Sequence, residues 1–402
     1  MKRVVITGIG ILTSIGTGKE EFWANLLKGH SGISEVTAFD TSEHFTHLGG
    51  QVKSFKPEKF GLSRYVNSLS RASLFGLAAA ELALGDAKLN LKETDRNVAV
   101  CIGTTMGSVQ SSEYINEQMT LNRVYNFERQ TLCKVPTNST SSAISTMRGL
   151  HGPSFMFSTA CAAGNYAIGY GFDLIRLERA EIAIVGGAEP FSKVAFTGFN
   201  QFKAVAPEKC QPFDKNRKGM MVAEGAGVLI LESLEHALSR GAEIYAEVMG
   251  YGLSCDAKHM TTPSIEGIVW CMKKALNEAG IGPEDVDYIS AHGTGTVAND
   301  RAEVAAIKEV FGSRYRDIPV SSIKSMLGHT MGAASAIEAA ACALAIKTGN
   351  IPPTINFETP DPECDIDCVP NVARRHDVNI AMNNSYAFGG NNASLILKKY
   401  TD

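Results

Sequence analysis

Continuous apolar runs without polar alternation recur along the chain, at residues 4–7, 97–103, 153–157, 181–188, 228–231, 286–292 and 320–323. Each is of strand length, and a run that does not alternate is the pattern of a strand covered on both faces. Between them lie helical patterns: residues 18–28 are amphipathic, 70–87 are rich in alanine and leucine, and 299–311 form another helix. Two further helices stand apart. From residue 161 to 177 the only charges are Asp173 and Arg176, and from 330 to 346 the only charge is Glu338. A helix apolar nearly all round must be buried. The second mirrors the first in length and small-residue content, and the pattern restarts near residue 250. We therefore expect a duplicated α/β unit, with a first half over 1–250 and a second over 251–402. The right-handed crossover rule then places both buried helices between or against parallel sheets.

Composition adds bounds rather than identity. The 402 residues are 44% hydrophobic and 20% charged, which is ordinary for a globular chain. A net charge of -4 argues against nucleic acid as a global partner. Met1-Lys2-Arg3 runs straight into the first strand, so no basic leader followed by a long apolar run is expected, and no segment reads as a membrane span. Nine cysteines, an odd number without framework spacing, fit a reducing compartment and a cytoplasmic location. Cys364 and Cys368 lie four apart with no second pair at ligand spacing, so they read as structural and no metal is expected. The strand at 4–7 enters a turn with Gly8 and Gly10, which invites a dinucleotide site; the third glycine position is Thr13, and the fingerprint fails.

Candidate chemistry centres on Cys161, which closes an apolar run and opens the first buried helix. A thiol there lies against unpaired N–H groups and the positive end of the helix dipole, which favours thiolate. Free cysteine is also a good small core residue, and that reading suits the other eight. Around Cys161, Ala160, Ala162, Ala163 and Gly164 leave room for a substrate. His292 closes a strand and precedes Gly293-Thr294-Gly295-Thr296. Lys324 and His329 lie between the strand at 320–323 and the second buried helix, and Phe388 precedes Gly389 and Gly390, whose N–H groups can face a ligand. The turn Gly103-Thr104-Thr105-Met106-Gly107 sits at a strand end, where a covered sheet presents ligand-facing residues. One cysteine, two histidines and a lysine at such loops are hard to obtain from core packing.

On these residues the chain resembles the elongating β-ketoacyl-acyl carrier protein synthases, the Cys-His-His ketosynthases of fatty acid and polyketide assembly in the thiolase superfamily. The resemblance covers essentially the whole length. It rests on Thr159-Ala160-Cys161, on residues 292–296, on Gly328-His329 with Lys324 upstream, and on Phe388-Gly389-Gly390, in the expected order and spacing. It implies the five-layered αβαβα thiolase fold and a dimer. It implies that Cys161 takes an acyl chain from a carrier-protein thioester, and that a malonyl-type thioester is then decarboxylated to an enolate that attacks the acyl-cysteine. His292 and His329 would donate to the developing enolate oxygen, and the backbone N–H groups of Cys161 and Phe388 would hold the acyl-transfer oxyanion. Thr294 and Thr296 resemble hydroxyls that bind the pantetheine arm, Gly389 would also meet substrate, and Met106 corresponds to a residue gating the acyl pocket. Lys324, in an otherwise apolar site, needs a partner, and Glu338 on the next helix is the candidate, the pair orienting the histidines. No free cofactor is implied, since phosphopantetheine arrives on the carrier protein.

Rival readings diverge at particular residues. A degradative thiolase needs a second reactive cysteine near the C-terminus, and residues 388–390 offer none. A CoA-primed ketosynthase pairs cysteine with histidine and asparagine, where this chain has Lys324 and His329. A chain-length factor lacks the nucleophile, so that reading survives only with this chain as the catalytic half of a ketosynthase/chain-length-factor heterodimer in a specialised polyketide or polyene pathway; a homodimer is the alternative. Ala387 and Asn391 depart from the usual pattern around the phenylalanine loop, and residues 71–75 also lean towards the specialised pathways. Acyl carrier proteins are acidic, so a local basic patch is expected, with Arg64, Arg71, Lys215, Arg217 and Lys218 as its candidates.

Overall fold

A computed structural model describes residues 1–91 and 97–401. Its first half is built on β1 (Val4–Thr13), β2 (Ala99–Gly103), β3 (Ser154–Phe157), β4 (Ile182–Glu189) and β5 (Gly225–Ser233), in the order β3-β2-β4-β5-β1. β2 is parallel to β3 and β4, whereas β4–β5 and β5–β1 are antiparallel. The second half repeats this wiring with β6 (Ala246–Cys255), β7 (Tyr288–Ser290), β8 (Val320–Ser321), β9 (Ile380–Tyr386) and β10 (Asn391–Lys398), in the order β8-β7-β9-β10-β6. Here β7 is parallel to β8 and β9, and β9–β10 and β10–β6 are antiparallel. The halves join where β1 pairs with β6, Val5 opposite Glu247.

Five layers result. α1 (Arg71–Asp86) covers the outer face of the first half together with the helix Ser139–Arg148. α2 (Ala163–Arg176) and α5 (Ala334–Thr348) pack against each other between the two halves, and α3 (Ile265–Ala279) with α4 (Val297–Phe311) covers the outer face of the second. The two nearly uncharged helices are thus the central layer, as their composition requires. The segment Met331–Thr348 is long and apolar enough to cross a bilayer by length and composition, but 89% of it is buried inside the protein. The glycines of β1 serve packing, because a Cβ on Gly10 would stand 1.9 Å from the Ala79 carbonyl oxygen of α1.

Some expectations need adjustment. The run at 153–157 is an edge strand, paired on one side only among the described residues, with Phe155 39% exposed; its apolar residues pack partly on Tyr170, with Phe155 at 4.9 Å between ring centroids. The run at 286–292 keeps only Tyr288–Ser290 as strand, since the chain turns to present His292. Both central helices begin with a tight turn, Ala160–Ala162 and Met331–Ala333. Ala160 and Met331 there adopt φ of 50° and 49°, the left-handed region that non-glycine residues avoid.

Candidate active site

Cys161 sits in the turn between β3 and α2, and the Ser385 hydroxyl of β9 donates to its carbonyl at 2.8 Å. Its Sγ lies 3.0 Å from His329 Nε2. Burial pushes the Cys161 thiol up to about 12, and the Lys324 charge is the largest influence against that rise. This burial works against the thiolate that the helix terminus is expected to favour. Desolvation of a fully buried sulfur raises the cost of its charged form.

His329 follows Gly328, and its N–H and C=O are fixed by Met221 and Ala223. The Met331 N–H donates to His329 Nδ1 at 3.1 Å. A neutral imidazole that accepts at Nδ1 carries its proton on Nε2, so Nε2–H points at Cys161 as a donor. His292, two residues past β7, is anchored differently: its backbone N–H and that of Gly293 donate to Glu303 at 2.8 and 2.7 Å. The two imidazoles meet edge to face with centroids 5.4 Å apart. Burial and the Lys324 charge hold both well below the usual histidine range, so both are neutral. The sulfur and one nitrogen of each ring lie within 4.8 Å of one another.

Lys324 donates to Glu338 in a fully buried ion pair, the partner expected for a lysine in an otherwise apolar site. Burial pushes the Glu338 carboxyl up to about 7 against the pull of Lys324. The Thr294 and Thr296 hydroxyls lie 2.8 Å apart on the wall of a cavity of about 370 Å³, which Cys161, His292, His329 and the exposed Lys218 also line. Beyond Cys161 a second cavity of about 240 Å³ is walled by Met106, Val194, Phe199 and Met331. Cys161 and Phe388 line both. Phe388 leans on Phe199 and Phe202, with centroids 5.7 and 6.3 Å away.

The glycines after Phe388 do not present N–H groups to a ligand. Gly389 N–H donates to Met260 O at 2.8 Å and Gly390 N–H to Ala387 O at 2.9 Å, so the direct substrate contact expected of the Gly389 backbone is already spent. The Phe388 N–H donates to no described residue, which leaves it available in this loop.

The expected basic patch is smaller than its candidates. Arg217 is 4% exposed and donates to Asp361 at 2.6 Å and to Asp214 O at 2.8 Å, with Asp300 also beside it. It cannot form part of a docking surface. Arg71 grips the buried Glu224 through two contacts of 2.7 Å and donates to Val52 O, so its charge is also spent within the fold. Arg64, Lys215 and Lys218 are exposed. Sequence reasoning missed Glu303 and Glu189, both buried carboxylates that accept backbone N–H groups beside the site. Glu303 could have been found as the acid eleven residues past His292 on the following helix; Glu189 closes an apolar strand with no comparable signal.

Two family models, the β-ketoacyl synthase N-terminal and C-terminal domains, match residues 1–237 and 245–358. The chain belongs to the β-ketoacyl synthase family. The 3-oxoacyl-[acyl-carrier-protein] synthase 2 of Staphylococcus aureus (strain COL) is 41% identical over 99% of both chains. That of Synechocystis sp. is 40% identical over 99% of this chain and 98% of its own. Among solved structures, the ishigamide ketosynthase/chain length factor superposes with a TM-score of 0.95 at 44% identity, all of both chains covered. A chain from the complex of a type II polyketide synthase acyl-carrier protein with its hexaketide-bound ketosynthase superposes at 0.91 and 34% identity, again over all of both chains. The duplicated five-layer architecture of this β-ketoacyl synthase is the thiolase fold, and the family reading made from its motifs stands.

Proposed function

We propose that Cys161 holds the growing acyl chain while His292 and His329 stabilise the enolate that extends it. The reaction is decarboxylative condensation of a malonyl-acyl carrier protein to a β-ketoacyl-acyl carrier protein. The observation that carries the division of roles is the His329 contact pair, Nδ1 on the Met331 N–H and Nε2 on the Cys161 sulfur. In acyl transfer the Cys161 sulfur attacks the thioester carbonyl, its proton passes to the departing carrier thiol, and the oxyanion meets the N–H groups of Cys161 and Phe388. In the next half-reaction the malonyl carbon–carbon bond breaks, carbon dioxide leaves, and the electron pair moves onto the thioester oxygen. Neutral Nε2–H of His329, with His292 beside it, donates to that oxygen more strongly as its charge grows. The enolate carbon then attacks the acyl-cysteine carbonyl and Cys161 leaves as thiolate, to be reprotonated.

The Thr294 and Thr296 hydroxyls suit the pantetheine arm, which reaches the site on the carrier protein rather than as a free cofactor. Met106 and its apolar neighbours suit an acyl chain. Lys324, paired with Glu338, adds to burial in keeping the histidines neutral, and the pair orients them rather than reacting. The first half supplies the nucleophile and the second supplies the donors, with the division at the start of β6 (Ala246–Cys255), because the expected boundary at 250/251 falls inside that strand. Acyl carrier protein is the partner in solution, and a cytoplasmic location fits that partner. The likeness to the ishigamide ketosynthase/chain length factor favours a second form of this reading, in which the chain is the catalytic half of a heterodimer rather than a homodimer. Intact-mass measurement after incubation with a panel of acyl-carrier proteins tests the assignment. Acyl adducts confined to Cys161 are expected, and an unmodified Cys161 in a folded, carrier-binding protein would sink it.

A further inference from the structure

Glu189, the last residue of β4, is 4% exposed, and its carboxylate is surrounded by donors. It accepts the N–H groups of Thr105, of Met106 at 3.2 Å and of Gly332 at 3.1 Å, and the Thr104 hydroxyl at 3.2 Å. No cation pairs with it among the described residues. The donors come from turns in opposite halves of the fold, one after β2 and one opening α5. These turns are in direct contact, since a Cβ on Gly332 would lie 2.2 Å from the Thr104 carbonyl carbon and 2.3 Å from the Thr105 nitrogen. Each turn carries a working residue. Met106 walls the acyl cavity, and Met331 supplies the N–H that His329 Nδ1 accepts. Met331 does so from φ 49°, a conformation that persists only where its surroundings hold it.

We infer that Glu189 is a positioning residue: it fixes the backbone of Met331 and Gly332 so that the His329 proton stays on Nε2, and it ties that imidazole to the Met106 turn. The inference rests on His329 acting as a donor. Burial pushes the Glu189 carboxyl up to about 7, and the four donors oppose that rise by favouring the ionised form, which only accepts and has lone pairs enough for all four. Glutamine keeps one oxygen and turns an NH2 group against N–H donors. Once the turn is released, the Nδ1–H tautomer becomes available, and it faces the sulfur and the enolate oxygen with a lone pair instead of a proton.

The test compares full-length wild type with Glu189→Gln and Glu189→Asp. Carbon dioxide release from malonyl-carrier protein gives kcat and KM, imidazole 15N shifts give the His329 tautomer, and thermal melting gives stability. In Glu189→Gln we expect kcat to fall by about tenfold or more with KM little changed, consistent with loss of a donor used in the transition state. The His329 signals should move from Nε2–H towards a mixture, and Glu189→Asp should recover part of both. A lower melting temperature with unchanged tautomer and unchanged kcat per folded molecule would assign Glu189 to the fold alone. If Glu189→Gln does not fold, the same readouts on Glu189→Asp decide, and failure of both to fold also overturns the inference. A wild type that releases no carbon dioxide would defeat the donor reading itself, whereas the 15N comparison still reports whether Glu189 holds the tautomer.

Discussion

The Asn165 backbone N–H donates to the Ser335 hydroxyl at 3.0 Å, joining the two central helices four residues past Cys161 and six past His329. Gly164 makes that approach possible: a Cβ there would stand 2.5 Å from Ala336 N and 2.8 Å from the Ser335 hydroxyl. Gly164→Ala should therefore cost about 1–3 kcal/mol through overpacking and should slow acylation of Cys161. Gly85, near the end of α1, meets nothing within 4 Å, and Gly85→Ala should stabilise by roughly 0.5 kcal/mol through helix propensity. Chemical denaturation of the two variants checks the contrast, and equal shifts would mean the helices can slide apart freely.

The central layer was legible because a helix with one or two charges has nowhere to sit but inside. Glu338 was legible for the same reason, since a buried Lys324 needs a counter-charge and the neighbouring apolar helix offers a single one. The duplication and the family followed from the restart of the pattern and from motif order. The parts that escaped depend on partners far along the chain. Nothing near Arg217 marks it as inward-facing, because Asp361 lies 144 residues away. Gly389 looked available because Met260, whose carbonyl takes its N–H, belongs to a different loop. The upward push of burial on the Cys161 thiol escaped because local dipole reasoning carries no measure of desolvation.

Lys324 links stability to protonation. Lys324→Met leaves the Glu338 carboxyl buried without its cation, which should cost about 3–5 kcal/mol at neutral pH, with part recovered in Lys324→Met/Glu338→Leu. The cation also lowers both histidines and the Cys161 thiol. Its removal should move all three upwards, seen as higher histidine titration midpoints by NMR and slower alkylation of Cys161. The sign for stability follows from linkage. In wild type the depressed histidines contribute stability present above their unfolded pKa of about 6.5 and lost as pH falls towards their folded values. That acid-side loss should shrink in the lysine variant, and an unchanged histidine contribution would mean that Lys324 does not set their charge.

Carrier docking should depend on exposed charges, not on the buried arginines. Charge reversal at Lys218, an exposed residue lining the cavity, three residues after the exposed Lys215, should slow transfer from acyl-carrier protein on the order of tenfold at low salt. The effect should fade as ionic strength rises, and transfer from a short pantetheine thioester should change little. Arg217→Gln should instead lower stability and harm both donors alike, because its partners Asp361 and Asp300 are left buried. A Lys218 variant that slowed both donors equally at every salt concentration would remove it from the docking surface.

The work of the cysteine and of the histidines separates in three variants. Decarboxylation needs donors at the enolate oxygen and a site that excludes water, but no covalent link to the protein. Cys161→Ala should therefore give no acyl-enzyme and no condensation, yet still release carbon dioxide from malonyl-carrier protein. His329→Ala should lower that release by roughly 10²–10³, the typical loss for one oxyanion donor. It should also slow acylation, because a thiol pushed up to about 12 loses the N–H that would steady its thiolate at 3.0 Å, but acyl-enzyme should still accumulate. His292→Ala should depress carbon dioxide release comparably while acylating faster than His329→Ala, since the hydrogen bond to the sulfur comes from His329. Acyl-enzyme mass and carbon dioxide release, followed separately, distinguish these outcomes. Loss of acylation with normal decarboxylation in His329→Ala would reverse the roles and make that imidazole the base for the thiol, which would require its proton to sit on Nδ1 against the Met331 N–H.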